Sequence, residues 1–129
     1  MINVKDKIVS FTNLDAWRKS HEVVLEVYKI TKKFPKDEQF GLISQMRRAA
    51  VSITSNIAEG FSRSTYQDKA HFYIMAHGSL TELQNQLLIA RDVNYLEKEK
   101  FNQIAEYSTI SHKLITGLIK STKGKIHAS

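Results

Sequence analysis

The sequence of 129 residues has no cysteine, one proline, five glycines and no long apolar run. Without cysteine there is no disulfide scaffold, no thiolate nucleophile, no iron–sulfur cluster and no Cys-based zinc site. One proline and five glycines leave too little turn material for a many-stranded β fold. The longest weakly charged stretch, Gln39 to Ala58, carries Arg47 and Arg48 at its centre and is too polar to span a bilayer. Met1 to Ser10 carry Lys5, Asp6 and Lys7 without an apolar core, so no secretory leader is expected and a cytoplasmic location is. Gly41, Gly60 and Gly78 are isolated, so no phosphate-cradling loop exists, and no Gly-x-Ser-x-Gly elbow presents a nucleophile. An enzyme is not expected.

What the chain does have is helical periodicity. Apolar residues recur at alternating spacings of three and four in four segments. The first runs through Leu14, Trp17, His21, Val24, Tyr28 and Thr31, widened by Val23, Val27 and Ile30. The second is Ile43, Met46, Ala50, Ile53 and Ile57; the third is Tyr73, Ala76, Leu80, Leu83, Leu87 and Ala90. The fourth is Phe101, Ile104, Ser108, Ser111, Ile115 and Leu118, with Tyr107, Ile110 and Leu114 beside them.

Breaks between the stripes carry helix stop and start chemistry. Pro35 biases Phe34 away from helix, so the first helix ends near Lys33, and Asp37 is a candidate N-cap for the second. Gly60 closes the second, Ser64 with Gln67 opens the third as a capping box, and Glu97 opens the fourth. The tail from Thr122 to Ser129 is expected to fray. The expectation is one all-α domain, an antiparallel up-down-up-down four-helix bundle with helices at about 14–33, 38–60, 65–92 and 97–121.

A four-helix bundle raises the question of a carboxylate metal centre, which needs inward acids on every helix and Glu-x-x-His on two. Asp68 with His71 is the nearest match and occurs once, while Glu22, Glu59 and Glu82 stand on separate helices. None of His21, His71, His77, His112 and His127 forms the i,i+4 pair of a helical zinc site. No metal and no cofactor is expected.

The second helix carries small residues on several faces: Gly41, Ser44, Ala49, Val51, Ser52, Ser55 and Ala58. Such a helix is either central within the monomer or in contact with another subunit, and Gly41, Ala49, Ser52, Asn56 and Glu59 are the candidate subunit-contact residues. Asn56 and Glu59 also have a local reading, as interhelical hydrogen-bonding groups, with Glu59 able to pair with Arg63.

The formal charge is +6, and it is uneven: +4 over residues 1–36, zero over 37–63, −2 over 64–106 and +4 over 107–129. Lys29, Lys32, Lys33 and Lys36 gather at the end of the first helix; Lys113, Lys120, Lys123 and Lys125 gather along the end of the fourth. An antiparallel bundle puts the two clusters at opposite ends. Lysines there complement helix dipoles without any ligand, or they meet a nucleic-acid backbone. Lys29, Lys32, Lys33, Arg47, Arg48, Lys120 and Lys123 are the candidate contacts.

One composite pattern is recognisable. Phe34 and Pro35, then Glu38, Gly41, Leu42, Gln45, Arg47, Arg48, Ala49, Ala50 and Ser52, then Asn56 to Gly60, are followed by Gly78 to Leu80, Glu82, Leu83, Gln86 and Leu87. With Leu14 and Trp17 upstream, this resembles the four-helix-bundle proteins encoded in intervening sequences of bacterial 23S rRNA genes, and their relatives, the accessory variability determinants of diversity-generating retroelements. The resemblance implies a ring-like homopentamer and brings no catalytic residues. For the retroelement relatives it implies binding to nucleic acid and a reverse transcriptase. Arg47 and Arg48 match the family's paired arginines. The leading expectation is a non-enzymatic homo-oligomer that binds RNA or other nucleic acid through phosphate contacts. The alternative is an adaptor that binds a protein such as a reverse transcriptase without touching nucleic acid.

Overall fold

The computed structural model describes residues 11–128, and the expectation for Met1 to Ser10 lies outside them. Four helices follow a short 3-10 turn at Phe11–Asn13: α1 (Asp15–Thr31), α2 (Leu42–Ser62), α3 (Tyr66–Asp92) and α4 (Lys98–Ala128). Each helix packs on its sequence neighbours, and α4 closes the arrangement against α1. The chain is an all-α four-helix bundle with up-down-up-down topology.

The ends of the helices correct several expected caps. Asp37 does not open α2; it lies in a second 3-10 turn, Lys36–Glu38. The next residue, Glu38, does the capping through its side chain, whose Oε1 accepts from the Leu42 backbone N–H at 3.1 Å. Gly41 occupies the N-cap position, so α2 begins at Leu42 rather than at residue 38. A Cβ on Gly41 would sit 2.6 Å from that same carboxylate oxygen, so a side chain there would displace the capping carboxylate. For α3 the cap is Thr65, not Ser64: the Thr65 hydroxyl accepts from the Asp68 N–H at 3.1 Å. Nor does the helix fray at Thr122. The α4 helix continues to Ala128, with Thr122 buried and its hydroxyl donating to the Leu118 carbonyl at 2.7 Å.

The core follows the expected stripes on α2 and α3 and through Ile104, Ser108, Ser111 and Ile115 on α4, and departs from them on α1. Every residue expected inside on α2 and α3 is buried, from Ile43 to Ile57 and from Tyr73 to Ala90. On α1 the buried face is Ala16, Ser20, Val23, Val24, Val27, Ile30 and Thr31, rotated away from the aromatic side. Trp17 and His21 lie half-buried and stacked on one another at 4.7 Å, and Tyr28 is exposed. The rotation has a packing cause. Small Ala16 and Ser20 let α1 approach α4 closely, and the buried hydroxyls of Ser20 and Ser111 satisfy each other at 2.6 Å across that seam. Buried hydroxyls left single would cost free energy; paired, they fix the register of the two helices.

Small residues on α2 do similar work against α3. Gly60 does not close α2, which runs on to Ser62; it faces Tyr73, where a Cβ would come within 2.7 Å of the ring, and Ser52 bonds Ser79 at 2.8 Å.

A basic cleft as candidate nucleic-acid interface

Antiparallel packing brings the end of α1, the α3–α4 link and the first turn of α4 to one end of the bundle. They enclose a cleft of about 1140 Å³. Its floor is built by the way α3 stops. Asn94 takes a left-handed conformation (φ 66°), which asparagine tolerates better than most residues. The Tyr95 N–H then reaches back to the Ala90 carbonyl at 2.9 Å and the Asn94 N–H to Arg91 at 3.1 Å. These two bonds make a Schellman cap and turn the chain sharply into the link.

The link is pinned at two further points. Tyr95 packs on the buried Phe34 ring at 5.4 Å, and its hydroxyl donates to Glu38 at 2.8 Å. The Glu38 carboxylate therefore serves two donors, the Leu42 N–H and the Tyr95 hydroxyl. Both hold it below the usual carboxylate range, the backbone bond most strongly. Conversely, donation to Glu38 pushes the Tyr95 phenol above its ordinary value.

Around this rigid floor stand six bases, Lys29, Lys32, Lys33, Arg91, Lys98 and Lys100, against three acids, Glu26, Asp92 and Glu97. Lys29 leans on Glu26 at 3.5 Å, and Arg91 is bound to Asp92 at 2.8 Å while covering the Phe101 ring. Lys32, Lys33, Lys98 and Lys100 are exposed and make no ion pair among the described residues. Two helix C-termini and two N-termini meet at this end, so the dipoles largely offset one another. The positive field comes from side chains.

The other expected contact residues are scattered. Arg47 is committed to the fold: its Nε donates to Thr31 at 2.9 Å and its guanidinium lies 4.6 Å from the Tyr28 ring centre. Arg48, beside it, is exposed. Lys120 and Lys123 are exposed near the far end of α4, about 35 Å along the helix from the cleft at 1.5 Å per residue. Sequence reasoning missed Arg91, Lys98 and Lys100, because they lie in the stretch whose net charge is negative.

Of the five residues expected at a subunit contact, Ala49 is buried in the chain's own core and Gly41 serves the Glu38 cap. Ser52 and Asn56 bond each other, with Asn56 Nδ2 donating to the Ser52 carbonyl at 2.9 Å. Glu59 is exposed and pairs with Arg63 at 3.4 Å. Larger apolar side chains are exposed on α3 instead: Ile74, Met75, Leu88 and Ile89. No described helix is long and apolar enough to cross a membrane.

Comparisons with known proteins bear on the whole arrangement. No curated protein matches the chain. The fold is shared with a crystal structure from Bacteroides thetaiotaomicron, described as a protein with unknown function from the S23 ribosomal protein family. The two align with a TM-score of 0.73 and 24% identity over 81% of this chain and 98% of that one. Residues 12–117 match the model of the 23S rRNA-intervening sequence protein family. A match over that span includes all of α1, α2 and α3 and most of α4, and on it the chain belongs to the 23S rRNA-intervening sequence protein family.

Proposed function

We propose that the protein is a non-enzymatic homo-oligomer that binds RNA, or another nucleic acid, by phosphate contacts made chiefly in the basic cleft. One observation supports this reading: four exposed lysines without ion-pair partners among the described residues line one cleft around a floor pinned by hydrogen bonds. Positive charge on a fixed concave surface is what backbone binding requires, and a phosphate chain supplies the missing partners. Nothing in the cleft suggests base-specific readout. Binding is therefore strongly salt-dependent and tolerant of sequence. Arg48, Lys120 and Lys123 are secondary contacts in this reading.

The exposed apolar side chains of α3, with the outward face of α2, support self-association. A ring of five copies, as the resemblance implies, would repeat the cleft's net charge around an axis and strengthen its field. A second reading uses the same α3 stripe differently: Ile74, Met75, Leu88 and Ile89 would receive a protein partner such as a reverse transcriptase.

Fluorescence anisotropy with labelled RNAs of unrelated sequence tests the first reading. Comparable affinities that fall steeply as salt rises are expected. Affinity that ignores salt contradicts phosphate binding. Light scattering tests assembly: a mass several times 14.8 kDa is expected, and a mass of 14.8 kDa at micromolar concentration contradicts it.

A further inference from the structure

His77 on α3 and His112 on α4 lie 35 residues apart in sequence and meet across the α3–α4 seam. Their Nε2 atoms are 3.1 Å apart, their ring centres 4.9 Å apart and their planes inclined by 51°. Both rings are half-buried. The seam that holds them is fixed on the same pair of helices by Gln84, which donates to Ser108 at 3.3 Å. The Thr81 hydroxyl donates to the His77 carbonyl at 3.1 Å, one turn further along α3.

Two neutral imidazoles facing through Nε2 hold one proton between them, so one nitrogen donates and the other accepts. A bond aligned with both ring axes at this separation would put the ring centres about 5.5 Å apart. The observed 4.9 Å is shorter, so the two nitrogens do not point straight at each other. Two imidazole nitrogens on one tetrahedral zinc ion, each about 2.05 Å from it, lie about 3.3 Å from each other, with ring centres about 5.2 Å apart. Both observed separations lie within about 0.3 Å of that geometry, a gap that side-chain rotation closes with the helices where they stand.

We propose that His77 and His112 chelate a single late first-row divalent cation, Zn²⁺, Ni²⁺ or Cu²⁺, through both Nε2 atoms, clamping α3 to α4. Neutral imidazole suits these ions. No group of three or more His, Asp or Glu side chains is placed for a metal among the described residues, so water fills the remaining positions. A site without carboxylates gives Mg²⁺ and Ca²⁺ nothing to bind. Gly78, adjacent to His77, leaves open space where a side chain would otherwise stand. Binding requires both rings in the neutral form, with the proton of the donating ring moved from Nε2 to Nδ1. Helix-spacing rules could not find this pair, because they search within one helix.

The test is a titration of tag-free protein with zinc chloride, followed by NMR of the imidazole nitrogens and by calorimetry. Saturation at one ion per chain is expected, with the Nε2 signals of His77 and His112 shifting while those of His21 and His71 stay. Magnesium chloride produces no such shift. Each of His77→Gln and His112→Gln lowers zinc affinity by about tenfold or more, and zinc raises the melting temperature of the parent chain only. Absence of saturable binding overturns the proposal. So does saturation that shifts other histidines, or wild-type affinity in the two variants. The NMR assignment uses the unsubstituted protein, so the outcome stands even if a variant folds poorly.

Discussion

The two ends of the bundle both carry cations and use most of them differently. At the end where α2 passes into α3, Lys69 donates to the Phe61 carbonyl at 2.6 Å and caps α2, whose last carbonyls need donors. Arg63 pairs with Glu59 and covers the Phe72 ring, and Lys125 reaches from α4 to within 5.5 Å of the Tyr66 ring centre. These three cations are engaged by the fold, whereas Lys120 and Lys123 near them are exposed and make no ion pair among the described residues. At the cleft end, Lys32, Lys33, Lys98 and Lys100 point into solvent around a floor held by an asparagine-capped turn and by Glu38. Rigidity there is supplied by groups other than the lysines. Unlike Lys120 and Lys123, the unpaired lysines at this end line a cleft beside a link pinned by the Schellman cap and by Tyr95.

The comparison can be broken from either side. The largest effect on stability is expected at the engaged end. Gly60→Val drives a branched side chain into Tyr73 and should cost about 1–3 kcal/mol in urea unfolding, with RNA affinity of the folded protein unchanged. Lys69→Met removes the charged donor from the end of α2 and should cost about 1 kcal/mol, again without effect on RNA binding.

A smaller effect is expected from Glu38→Gln at the cleft floor, and its signature is pH. Two hydrogen bonds depress the folded-state pKa of Glu38, so its stabilisation is complete above the ordinary carboxylate pKa. That stabilisation is lost as pH falls through the lowered folded value. Urea midpoints of Glu38→Gln should therefore fall below the parent's at neutral pH and converge with them in acid. Parallel curves at all pH values would mean the carboxylate does not hold the link. Smallest of all is the change in stability on replacing Lys32, Lys33, Lys98 and Lys100 together by Gln, expected within about 0.5 kcal/mol, because none of them has an ion-pair partner to lose.

Parts of this architecture were legible from sequence for reasons that can be named. The α2 and α3 stripes are made of Ile, Leu, Met and Ala, whose side chains have one preferred environment, and they pointed inward as spaced. On α1, Trp17, His21 and Tyr28 are amphipathic and packed at the margin. Ser20, polar by type, took the innermost position because Ser111 stood opposite. Ser52, among the small residues of α2, announced a close contact, but spacing alone did not say whether Ser79 of the same chain or another subunit made it. Lys29, Lys32 and Lys33 were found as a cluster. Lys98 and Lys100 were hidden among Glu97, Glu99 and Glu106, and only folding separated them from most of that negative charge. The pairing of His77 with His112 depends on the register of two helices and leaves no trace in local pattern.

The most direct test compares the salt dependence of RNA binding in two variants. One replaces Lys32, Lys33, Lys98 and Lys100 by Gln; the other replaces Lys120 and Lys123 by Gln at the far end. With roughly 0.7 counterions released per contact to a single strand, the cleft variant should lower the log–log salt slope by about 3 and weaken binding strongly. The far-end variant should change both only slightly. Equal losses from the two variants, or an unchanged slope in the cleft variant, would contradict the cleft as the binding site.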